Sequence, residues 1–131
     1  MSFGFSVGDI ITVSKFAFKI YRACKDSATD FQTISGEVIS LHIVLKETKH
    51  LTAECGKLDA EREADLVQIG NGCREVLEDL ESHLARYDRL GTQQQRTWDW
   101  MRFGLDDISE IRARLISHTG MLTALNTIIS W

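Results

Sequence analysis

The chain has 131 residues, the size of one domain, with 44 % hydrophobic and 26 % charged residues, which excludes a disordered chain. Its net charge of −4 offers no electrostatic footprint for nucleic acid. It contains no proline, so long uninterrupted helices are favoured.

Four helical segments follow from the apolar spacing, and we expect an all-α, antiparallel four-helix or five-helix up-down bundle occupying residues 1–131 as a single domain. The first helix is expected from about Val7 to Cys24, with Ser6 as its N-cap. Lys15, Lys19 and Arg22 collect within roughly 60° of its circumference. Val7, Ile10, Ile11, Val13, Phe16, Ala17, Phe18, Ile20, Tyr21, Ala23 and Cys24 make more than half of the circumference apolar, wider than an ordinary surface helix requires.

Two accounts of that helix stand side by side. In one it is the central helix, surrounded by the other three, with Phe3 and Phe5 covering the open end of the core. In the other it is buried at rest and can leave the bundle, placing its apolar surface in lipid and its basic stripe at anionic headgroups. Its length of about 27 Å is close to that of a bilayer core. Asp9 is either a first-turn partner of the helix dipole or an acid facing an aqueous lumen.

The second helix is expected to begin near Ser27 to Asp30 and to end near Cys55-Gly56. Phe31, Ile34, Val38, Leu41, Leu45 and Thr48 form a 3-4-3-4 seam along it. The third starts near Asp59 and closes at Leu90-Gly91, with Leu66, Ile69, Cys73, Leu77, Leu80, Leu84 and Tyr87 on its seam. Gly70 and Gly72 interrupt it, and each costs about 1 kcal/mol relative to alanine, which points to a local kink or a close helix contact. The fourth, from about Thr92 to Ile129, carries Trp98, Met101, Leu105, Ile108, Ile111, Leu115, Leu122, Leu125 and Ile129. Breaks are expected at Phe103-Gly104 and Thr119-Gly120. Trp131 follows this apolar stretch without a capping signal, and we expect the chain to be the N-terminal module of a longer protein.

Catalytic chemistry finds little support. His42 and His50 are eight residues apart, about 80° around a helix and more than 10 Å along it, the wrong spacing for a zinc-gripping pair. A metal site assembled from separate helices stays open. Ser117 and His118 point about 100° apart and form no triad fragment. No phosphate-binding glycine loop occurs, so no cofactor is expected. Asp106-Asp107 and the Glu78-Asp79-Glu81 cluster read as solvated faces. Among the three cysteines, Cys73 falls on a core seam, whereas Cys24 and Cys55 fall at helix ends and are candidates for reactivity. The odd cysteine count, without any CxxC pair or secretory signal, favours free thiols in a cytoplasmic protein.

Three blocks resemble the N-terminal domains of fungal STAND (NOD-like receptor) proteins. They are the opening Phe3 to Ile11 (FGFSVGDII), the run Cys73 to Leu80 (CREVLEDL), and the block Gly104 to Asn126 (GLDDISEIRARLISHTGMLTALN). The resemblance implies a bundle related to HeLo and HeLo-like domains, and more distantly to the coiled-coil domains of plant immune receptors. Such domains precede nucleotide-binding and repeat modules, oligomerise on activation, and act on the plasma membrane to cause regulated cell death. On that footing Phe3, Phe5, Val7, Ile10, Ile11 and Phe16 are the expected membrane contacts. Asp9 is the expected pore acid, and Lys15, Lys19 and Arg22 are the headgroup-orienting residues. The alternative is a helical adaptor whose first helix never leaves the core.

Overall fold

In the computed structural model, residues 7–27, 29–89 and 105–130 are described, and they fold as α1 (Val7–Lys25), α2 (Thr29–Cys55), α3 (Ala60–Arg89) and α4 (Leu105–Ile129). The expected N-cap Ser6, the start of the fourth helix before residue 105, Trp98, Met101 and the Phe103-Gly104 break lie outside these residues.

Local chemistry sets the helix ends. Gly56 closes α2 with a φ of +79°, a left-handed conformation that a side chain would strain. Asp59 then caps α3: its Oδ1 accepts the Arg62 N–H at 2.8 Å, and Glu61 and Glu63 bring negative charge to the first turn. At the start of α2, Gln32 Nε2 donates to the Ser27 carbonyl at 2.8 Å.

The helices form the expected four-helix bundle. α1 packs on α2 and α3, and α4 packs on α2 and α3, so the order around the bundle is α1-α2-α4-α3. Directions follow from cross-helix pairs. Glu37–Arg112 and Thr48–Asn126 advance together, so α2 and α4 run parallel. Asp79–Arg114 and His83–Asp107 advance oppositely, so α3 and α4 run antiparallel. The chain still alternates up and down, but the short α2–α3 link crosses the diagonal. Phe31 and Tyr87 meet edge-to-face across it, with ring centroids 5.4 Å apart.

The core is the set of seams read from the sequence. Phe31, Ile34, Val38, Leu41 and Leu45 of α2 are buried, as are Cys73, Leu77 and Leu80 of α3 and Ile111, Leu115, Leu122 and Leu125 of α4. Val76 joins them, although the seven-residue seam of the third helix passed over it.

Two expectations are corrected and one is narrowed. α4 runs unbroken through Thr119-Gly120, because Gly120 keeps a helical backbone and Leu115, Leu122 and Leu125 anchor both sides of it. A cost of about 1 kcal/mol for one glycine is small beside that burial. The Gly70–Gly72 stretch is likewise helical, and of the two explanations the close contact holds, at Gly72. Finally, α1 is not enclosed by the other three helices: it occupies a corner diagonal to α4.

Candidate interaction surface on the first helix

The corner position sorts the residues of α1 into two faces. Ile10, Val13, Ser14, Ala17, Ile20 and Cys24 are buried and span about 120° of the helix, an ordinary amphipathic stripe. Opposite lie Thr12, Lys15, Lys19 and Arg22, all exposed. The sequence-predicted basic stripe is therefore real solvent surface. Lys19 alone of the three has a described ion-pair partner, Glu81 of α3, at 3.4 Å. With side chains 73 % and 46 % exposed, that pair contributes little to stability.

Of the expected membrane-contact residues, Ile10, Ile11 and Phe16 do not share one face. Ile10 is fully buried in the core, and Ile11 and Phe16 are half-buried. Phe3 and Phe5 lie outside the described residues, and Val7 opens α1. Asp9 sits half-buried in the first turn, where an acid is favoured by the helix dipole. The aromatic residue that does reach solvent is Phe18, 41 % exposed, about 40° around the helix from Arg22. Its place beside the basic stripe was legible from helical spacing, but the apolar count alone did not separate it from the buried residues.

One contact ties α1 to α2. His42 Nδ1 lies 2.9 Å from the Ser14 carbonyl and 3.2 Å from its hydroxyl, so the protonated Nδ1 donates to the carbonyl. Phe18 covers the imidazole at 5.2 Å between centroids, and also meets Tyr21 at 6.0 Å. A polar contact between α1 and α2 is thus made by a histidine that the sequence suggested only as a rejected metal ligand.

Two further pairs of titratable groups join helices. Asp79 accepts from Arg114 at 2.6 Å, and Asp107 faces His83 Nε2 at 3.2 Å. Of the carboxylates expected on solvated faces, Asp79 and Asp107 are about half exposed and also bridge α3 and α4. Burial pushes both Cys24 and Cys73 up to about 12, which keeps them as neutral thiols. This fits the packing role expected of Cys73 and corrects the reactivity expected of Cys24. Cys55 is exposed. Among the described residues no group of three or more His, Cys, Asp or Glu side chains is placed to hold a metal.

The described part of the chain is thus an all-α four-helix bundle carrying a basic strip edged by an aromatic residue on a corner helix. Compared with protein-family models, curated proteins and solved structures, the chain matches none.

Proposed function

We propose that this bundle is the N-terminal signalling and executor domain of a fungal NLR-like immune or incompatibility receptor. At rest it is held as a bundle. On activation by its nucleotide-binding and repeat modules it self-associates and engages anionic membrane through α1, causing regulated cell death. It performs no catalysis of its own. The family part of this reading rests on the sequence resemblance. The structural observation that carries the membrane part is the exposed Lys15-Lys19-Arg22 strip with Phe18 at its edge, on a helix whose opposite face is apolar.

Leaving the bundle would cost α1 its core burial. Burying a Val or Ile side chain contributes about 1.5–3 kcal/mol, so Ile10, Val13 and Ile20 together hold α1 by on the order of 5–10 kcal/mol. Release therefore needs a driver, and assembly of several copies supplies one. The same apolar stripe that fills the core at rest then meets lipid. Among the described residues no helix is long and apolar enough to cross a membrane. α1 accordingly lies along the headgroup boundary, with its basic strip toward phosphate.

Dye leakage from vesicles containing anionic lipid tests the reading. The assembled domain releases dye, and replacing Lys15 and Arg22 by Glu abolishes release while circular dichroism stays unchanged. Ile10 is unsuitable for this test because a charge there would unfold the core. Absence of leakage from every assembled form refutes membrane attack. It then leaves the adaptor reading.

A further inference from the structure

The chain carries 19 acidic and 15 basic residues, yet α4 has no Asp, Glu, Lys or Arg from Leu115 to Ser130. At 1.5 Å per residue this uncharged stretch is about 24 Å long. Its inner side is core. Its outer side exposes Ile116 (55 %), Met121 (43 %) and Ile128 (46 %), three of the five large hydrophobic residues that reach solvent among the described residues. A fourth, Ile43 of α2, 60 % exposed, lies across the adjoining α2–α4 seam. Between the large residues the outer face is small: Ser117, Gly120 and Ala124 are all exposed. A Cβ on Gly120 would meet nothing within 4 Å, so no contact inside the chain requires glycine at this mid-helix position.

We propose that this outer face of α4 is a docking surface for a second copy of the chain, packed α4 against antiparallel α4 about a two-fold axis level with Leu122, between Gly120 and Ala124. The inference deepens the self-association in the proposed function by naming its surface. Charge selects the occupant. Two copies of an acidic chain repel least where neither presents charge, and this is the longest such face on the described helices. The antiparallel arrangement also carries the charged first half of each α4, with Glu110, Arg112 and Arg114, past the end of the partner's helix. Ser117, Gly120 and Ala124 let the backbones approach closely, while Ile116, Met121 and Ile128 pack at the flanks. A patch of these dimensions, extended to Ile43, buries on the order of 1,000 Å² over both copies, the low end of specific interfaces. The contact is accordingly weak, with a dissociation constant on the order of 0.1–1 mM, and forms when copies are concentrated by assembly.

Sedimentation equilibrium of the 131-residue chain over about 10 µM to 1 mM tests this, the span being set by the expected affinity. The mass should rise from 14.9 kDa toward twice that value, and more so as salt screens the net charge. Met121→Glu and Ile128→Glu change exposed side chains, so they should keep the fold yet remain monomeric at the same concentrations. Concentration-dependent amide shifts in the unmodified chain provide a variant-free check and should map to residues 116–128. A monomer at every concentration overturns the proposal. Association that survives both α4 variants but is lost in Phe18→Glu, or shifts that map to α1, also overturns this surface. That result would leave self-association itself, and the proposed function, standing.

Discussion

The imidazole of His118 on α4 lies directly over Gly72 of α3, so closely that a Cβ at Gly72 would stand 2.5 Å from Cε1 and 3.0 Å from Nδ1. Two helices that could not otherwise approach so closely meet through a missing side chain. The same contact draws the imidazole into the seam, where its Nδ1 is buried without a hydrogen-bond partner among the described residues.

Glycine substitutions should therefore diverge in sign. Gly36→Ala and Gly120→Ala meet open space on helical backbone, and each should stabilise the domain by about 0.5–1 kcal/mol. Gly72→Ala has the same propensity gain but must displace His118, and should destabilise by about 1 kcal/mol net. Adding His118→Ala to Gly72→Ala should remove most of that loss. Urea midpoints of the five proteins, wild type included, check the series. A Gly72→Ala midpoint raised like the other two would show that the ring is not wedged.

His118 should also make the bundle acid-sensitive. Burial lowers its pKa from the usual 6.5; Arg114 lowers it further, and Glu75 opposes the shift. The unfolded chain consequently takes up the proton first as pH falls. The stabilisation is complete above about 6.5 and is lost as pH drops from there through the lower folded value. Denaturant unfolding at pH 7.5 and pH 5 should give a smaller acid loss for His118→Asn than for wild type. Equal losses would remove His118 from the account.

Within the core, Thr48 and Asn126 form a polar bridge between α2 and α4. The Thr48 hydroxyl lies 2.7 Å from Asn126 Oδ1 and 2.9 Å from the Val44 carbonyl, and Asn126 Nδ2 donates to that carbonyl at 3.3 Å. Thr48→Val strands the amide oxygen and should cost about 1–3 kcal/mol. The pair Thr48→Val with Asn126→Leu should be less destabilised than Thr48→Val alone, since both polar partners are then gone. Additive losses in a double-mutant cycle would contradict the bridge.

Thiol chemistry separates the cysteines. With Cys24 and Cys73 held near 12, a thiol reagent at pH 8 should modify Cys55 quickly and the other two only on unfolding. The reading is one fast thiol per folded chain and three in denaturant, a ratio that a reactive Cys24 would break.

The helices and most of the core were legible because both depend on local spacing. The 3-4-3-4 seam from Phe31 to Thr48 is buried throughout, and Gly56 and Asp59 end and begin helices at the expected positions. Gly72 was visible as an anomaly, but its partner was not, since His118 lies 46 residues away (118 less 72) on another helix. The break expected at Gly120 failed for the same reason: propensity is local and small, whereas the burial that overrides it comes from two distant helices at once, α2 and α3.

For the first helix, the sequence alone determined a long amphipathic rod with a narrow basic strip, because 3.6 residues per turn places Lys15, Lys19 and Arg22 together in any environment. Which of its apolar residues are core and which are surface was decided only by tertiary structure. The order α1-α2-α4-α3 puts α1 at a corner against two neighbours, which bury Ile10, Val13 and Ile20 and leave Phe18 beside the strip in solvent. Periodicity can say that residues share a face; only the packing of distant segments chooses the face that is covered.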